Sequence, residues 1–119
     1  MILLDTNIFI YLAKGTLDAG SISGTDIAHA SITKIEALGF STIPANELLL
    51  LSSLFDESQT LDLSNLVVTR AIKLRQAKKM NLGDAIIAAT AIEYNVELWT
   101  ANIDDFKHIE NLTVINPLY

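Results

Sequence analysis

Six side chains of this 119-residue chain could do acid–base or metal chemistry together: Asp5, Glu36, Asp84, Asn102, Asp104 and Asp105. Asp5 ends a short apolar run, Ile2-Leu3-Leu4, and Glu36 lies one helical turn past a second run, Ile27 to Ile32. Asp84 opens an apolar segment, and Asn102, Asp104 and Asp105 follow the run Glu97-Leu98-Trp99-Thr100. If these runs are parallel strands, their carboxyl ends can converge although they are far apart in sequence. Carboxylates brought within a few ångströms repel one another, and loss of water adds to the cost of their charge. A bound divalent cation relieves both effects. An all-oxygen donor set favours Mg²⁺ or Mn²⁺ over zinc or copper. Such a centre can position a water, lower its pKa and stabilise a phosphorane-like transition state.

Each acid also has a purely structural use. Asp5 can cap the helix that follows its strand. Thr33-Lys34-Ile35-Glu36 has the spacing of a capping box, in which Glu36 binds only backbone amides. Asp84 can cap its own helix, and Asp104 and Asp105 suit a turn. Asp84 departs furthest from that use, because on a helix it shares a face with Ile87, Ala88 and Ala91. A charge aimed along an apolar stripe needs a partner.

The elements that must position these acids alternate. Ile2 to Leu4 reads as a strand buried on both faces, followed by a helix that Lys14-Gly15 ends. Gly20 to Gly24 reads as a loop, Ile27 to Ile32 as a strand, and Thr33 as the start of a helix. Pro44 starts a longer helix holding Leu48 to Leu51 and Leu54. Leu61-Asp62-Leu63 is a brief strand, and Ser64 or Asn65 caps a helix reaching about Met80, broken by Asn81-Leu82-Gly83. Ala85 to about Tyr94 is apolar nearly all round, the mark of a central helix, and Glu97–Thr100 and Thr113–Ile115 are the last strands. Short apolar strands alternating with helices predict one α/β domain around a mainly parallel sheet.

Composition sets the outer limits. Half the residues are hydrophobic and 18% are charged, so a packed core is expected and disorder is excluded. The net charge of −6 argues against holding nucleic acid by bulk positive charge. With no cysteine, disulfides, thiolate zinc sites and a cysteine nucleophile are excluded. No apolar stretch approaches the ~20 residues of a spanning helix, and Asp5 and Asn7 interrupt the apolar start, so a cytoplasmic protein without a signal peptide is expected.

Four segments in order resemble the successive motifs of PIN domains, and most of all the VapC-type toxins of bacterial toxin–antitoxin pairs. They are Leu4-Asp5-Thr6-Asn7-Ile8-Phe9-Ile10, Ser31-Ile32-Thr33-Lys34-Ile35-Glu36-Ala37-Leu38, Gly83-Asp84-Ala85-Ile86-Ile87-Ala88-Ala89-Thr90-Ala91 and Thr100-Ala101-Asn102-Ile103-Asp104-Asp105-Phe106. The resemblance implies a single PIN domain over residues 1–119, a three-layer α/β/α sandwich around a roughly five-stranded sheet. It also implies Mg²⁺- or Mn²⁺-dependent endoribonuclease activity, a homodimer, and a small antitoxin bound across the site. By motif match Asp5, Glu36 and Asp84 take the three invariant acidic positions, Thr6 and Asn7 the polar pair after the first acid, and Thr100 the hydroxyl ending the fourth strand. The family often places a fourth acid where this chain has Asn102. Asp105, beside Phe106, is preferred in its place over Asp104, with Asn102 as a neutral ligand or orienting group.

On that resemblance Asp5, Glu36, Asp84 and Asp105 are the expected catalytic and metal-holding residues, and an RNA phosphodiester is cleaved by metal-activated water. Arg70, Lys73, Arg75, Lys78 and Lys79 cluster in one predicted helix, with Arg75, Lys78 and Lys79 on one face. They are read as a solvated surface, with phosphate contact as the alternative. His29 and His108 have no metal-ligand spacing, and Trp99 is expected in the core. Receiver and haloacid-dehalogenase domains also place an Asp after strand one. The first expects a late lysine where Thr100-Ala101-Asn102 stands, and the second an Asp-x-Asp where Asp5-Thr6-Asn7 stands. A non-catalytic PIN-like binding module and a housekeeping RNA-processing nuclease are the remaining alternatives.

Overall fold

A computed structural model describes residues 1–118; Tyr119, the last residue of the expected 1–119 domain, lies outside the described residues. Five parallel strands form one sheet in the order β3-β2-β1-β4-β5. They are β1 (Ile2–Leu4), β2 (Ile27–Ala30), β3 (Gln59–Leu61), β4 (Glu97–Trp99) and β5 (Val114–Ile115). The helices are α1 (Thr6–Lys14), α2 (Ser31–Leu38), α3 (Ala45–Glu57), α4 (Asn65–Ala77) and α5 (Leu82–Glu93). This is the mainly parallel α/β domain that the strand and helix pattern predicts, and the PIN-like α/β/α sandwich that the resemblance implies.

β1 is the centre of the sheet, and its alternation explains the layers. Ile2 and Leu4 face a core built with Ile8, Phe9 and Leu12 of α1 and Leu51 and Phe55 of α3. Leu3 faces the other way, onto Ile87, Ala88 and Ala91 of α5. Both faces being covered, a continuous apolar run is the right strand sequence. α5 is apolar all round because a second face, Ala85 and Ala89, packs on Val67 and Ala71 of α4. Gly15 ends α1 at φ 78°, the left-handed cap conformation that glycine adopts without steric cost. Among the described residues no helix is long and apolar enough to cross a membrane.

The last two strands are each one residue shorter than expected, and four boundaries nearer the acids also differ from the sequence expectation. β2 stops at Ala30 and α2 begins at Ser31, so Thr33 lies inside the helix and forms no capping box. The third strand is Gln59–Leu61, since Ala28, His29 and Ala30 pair with Gln59, Thr60 and Leu61. α4 ends at Ala77, so Lys78 and Lys79 do not share a helical face with Arg75. α5 starts at Leu82 with Asn81 as its cap, so Gly83 is in the first turn and Asp84 does not open the helix.

Candidate functional site

The carboxyl ends of β1 and β4 lie side by side, and there the acids gather. Asp5 leaves β1 as the N-cap of α1 and is 5% exposed. Its Oδ1 accepts from the Thr6 amide at 2.8 Å, and its Oδ2 accepts from Thr100 Oγ1, just past β4, at 2.7 Å. The capping use is therefore real but takes only one oxygen. Thr100 Oγ1 in turn accepts from the Asn102 backbone N–H at 3.0 Å. That amide, not the exposed Asn102 side chain, links Asn102 to the acids.

Thr6 ties the first strand to α2. Its hydroxyl donates to Glu36 Oε1 at 2.8 Å, with Thr33 Oγ1 3.4 Å away. Glu36 thus turns towards the strand ends and not to its own helix amides. Its Oε2 would sit 3.1 Å from a β-carbon at Gly83, so the missing side chain lets the first turn of α5 approach Glu36 closely. One residue on, the Asp84 N–H donates to Asn81 Oδ1 at 2.8 Å. Asn81 does the capping, which leaves the Asp84 carboxylate free of that task.

Electrostatics shows which acids meet. Burial, then the charges of Asp5 and Asp105, and last that of Glu36, push the Asp84 carboxyl up to about 6, against a bond from Asn81 that lowers it. Burial first raises the Asp5 pKa. The bonds from Thr100 and Thr6 lower it, and Glu36 and Asp105 raise it again. So the charges of Glu36 and Asp105 reach both Asp5 and Asp84, and acids from four separate segments come together here. Asp104 is not among them: it is exposed and its Oδ1 pairs with Lys107 Nζ at 3.0 Å. Asn7 keeps a buried Oδ1 without a hydrogen-bond partner among the described residues.

A cation suits this donor set. The donors are all oxygens, and mutual repulsion is the state a divalent ion relieves. The array is open rather than closed: among the described residues no three His, Cys, Asp or Glu side chains form a group able to hold a metal ion. Asp5 is fixed by two hydrogen bonds and Glu36 by one from Thr6, whereas Asp105 is exposed.

The family model described as PIN domain matches residues 2–112. The chain belongs to the PIN domain family. PIN domains are nucleases, and a nuclease is what the acidic strand ends fit. Among solved structures, a chain of a toxin–antitoxin complex from Klebsiella pneumoniae is 31% identical, with 98% of each chain covered and a TM-score of 0.77. A chain of VapBC2 from Rickettsia felis, bound to a DNA fragment from its promoter, is 27% identical over 98% of each chain, with a TM-score of 0.80. VapBC-1 from nontypeable Haemophilus influenzae shares the fold at 24% identity, 100% of both chains and a TM-score of 0.80. No curated protein sequence gives a significant match.

Three contributors escape a reading of the sequence. Thr33 is fully buried beneath the Thr6–Glu36 contact, but the capping-box spacing gives it another meaning. Asn81 reads as a breaker, although its side chain fixes the amide of Asp84. Gly83 carries a usable signal, because a glycine inside a helix marks a close approach.

Proposed function

We propose that this PIN domain is a Mg²⁺- or Mn²⁺-dependent endoribonuclease and the toxin of a VapBC-type toxin–antitoxin pair. The observation that carries the reading is the convergence of acids from separate segments at the strand ends: Asp5 is bonded by Thr6 and Thr100, Glu36 is held by Thr6 and lies close to Gly83, and the Asp84 carboxyl beside them is pushed up to about 6. Acids gathered in this way gain from a divalent cation that offsets their repulsion.

Asp5, Glu36, Asp84 and Asp105 would hold the ion. It would supply the positive charge that eases attack of water on a phosphodiester and offsets the charge gathering on the phosphoryl oxygens. The protein does the positioning. Thr100 and the Thr6 amide fix Asp5 in one orientation. Thr6 holds Glu36 by Oε1, which leaves Oε2 free of that bond to face the ion or the attacking water. The Asn102 amide orients the Thr100 hydroxyl towards Asp5. Asn7 Oδ1 is a spare neutral acceptor beside the first acid, and Asp104 serves the turn through Lys107.

A small antitoxin and a second copy of the chain are the protein partners of this reading. The VapBC neighbours support the first. Exposed Phe40 and Leu49 on one side, and Leu66 and Ile72 on α4, supply apolar surface of the kind protein contacts cover.

The test is cleavage of single-stranded RNA by the purified chain. Cleavage should need Mg²⁺ or Mn²⁺ and stop with EDTA. Asp84→Asn should fold, by circular dichroism, and lose at least ~100-fold in rate. Cleavage by Asp84→Asn at the wild-type rate would refute the proposal.

A further inference from the structure

A chain of net charge −6 that gathers four acids at one place repels a polyanion there, so a nucleic-acid strand needs local cations to lie across it. The basic side chains are unequal in this respect. Arg70 Nε bonds Glu93 Oε1 at 2.8 Å, Arg75 Nε donates to the Met80 carbonyl at 3.3 Å, and Lys107 is paired with Asp104. Lys14 lines a separate, largely apolar pocket with Phe40 and Leu51. Lys34 and Lys73 are exposed and in no ion pair among the described residues, and so are Lys78 and Lys79, which differ in position. Both line a polar cleft of ≈ 200 Å³ shared with Asp84, Asp104, Asp105 and His108.

The backbone fixes this juxtaposition. α4 stops at Ala77, and Lys78 is its C-cap in extended conformation, φ −157° and ψ 147°. Three residues later Asn81 caps α5 and binds the Asp84 amide. Met80, between them, packs against the core and is held at its carbonyl by Arg75. The lysines therefore stand on a short, anchored connection whose far end sets Asp84. On the same cleft both ring nitrogens of His108 are buried without a partner among the described residues, so the wall keeps unused polar capacity.

We infer that Lys78 and Lys79 are positioning residues for RNA. They seat a backbone phosphate next to the one presented to Asp5, Glu36, Asp84 and Asp105, and so set how the strand lies across the acids. The inference rests on the nuclease reading, but its experiment is read separately. Binding of a labelled single-stranded RNA oligonucleotide is followed by fluorescence anisotropy across a salt series, and its cleavage is followed in Mg²⁺. The variants are Lys78→Ala/Lys79→Ala, the charge-keeping Lys78→Arg/Lys79→Arg, and Lys73→Ala on the exposed face of α4.

The double alanine variant should raise KM about tenfold or more with kcat within about twofold. It should also shrink the slope of log affinity against log salt by roughly 0.7 for each phosphate that is no longer neutralised. The arginine pair should restore both, and Lys73→Ala should move neither. An unchanged KM and salt slope in the double alanine variant overturns the lysine assignment and leaves the nuclease standing. RNA bound but uncut by the wild type refutes the nuclease reading, while the salt slope still decides the lysines. RNA neither bound nor cut refutes both.

Discussion

His29, within β2, and Asp5, just past the end of the neighbouring β1, are both buried, 1% and 5% exposed, and the fold treats them in opposite ways. His29 has each ring nitrogen opposite a hydroxyl, Nδ1 at 2.7 Å from Ser58 Oγ and Nε2 at 3.0 Å from Thr60 Oγ1. Phe9 and Phe55 meet its ring edge-on, at centroid distances of 6.0 and 4.9 Å. Burial, and then the charge of Lys34, lowers its pKa, so the ring is neutral and fully partnered. Asp5 also has both oxygens bonded, yet Glu36 and Asp105 add their charges to its burial, and its pKa rises. A partnered buried group is finished structure. On the proposed reading, several acids that repel one another are structure that a ligand completes.

The largest effect on stability should come from the finished region. His29→Ala removes the ring between Phe9 and Phe55 and unpairs two hydroxyls, and should cost about 2–4 kcal/mol in denaturant unfolding. Cleavage per folded molecule should not change. A loss below about 1 kcal/mol would break the contrast from that side.

A smaller effect separates the regions by the sign of their pH dependence. Asp84 titrates near 6 when folded and near its ordinary 3.8 when unfolded. Between those values the native state binds more protons, so this group makes the metal-free protein less stable as pH rises from about 4 to 6. His29, lowered on folding, acts the other way: its contribution falls as pH drops below the unfolded value of about 6.5. Subtracting a variant isolates each. Asp84→Asn should raise the melting temperature of metal-free protein at pH 7 by at least ~4 °C, with the gap closing towards pH 4. A gap that is absent, or widens on acidification, would mean that the acids are not strained.

Much of this is written in local sequence. β1 is legible because three apolar residues in a row suit a strand covered on both faces, and α5 because only a helix between two layers is apolar all round. Asp5 follows from β1 as the residue where the strand ends. The Glu36 environment is not legible: Thr33-x-x-Glu36 fits a capping box equally well, and only Thr6, distant in sequence, draws Glu36 away from its own helix. Lys78 and Lys79 continue the helical spacing of Arg75, and nothing local announces that α4 stops at Ala77. That stop depends on Asn81 capping the next helix and Met80 packing inward. Asp105 is preferred over Asp104 already in the sequence, for its place beside Phe106, and the Lys107 pair of Asp104 is consistent with that preference.

The central claim is that Asp5, Glu36, Asp84 and Asp105 share one cation. Calorimetric titration of the purified chain with Mn²⁺ at neutral pH tests it without depending on any RNA. Saturable binding by the wild type should weaken at least tenfold in Asp84→Asn and in Glu36→Gln, and stay unchanged in Asp104→Asn. Equal affinity in all four proteins, or no saturable binding by the wild type, would contradict it.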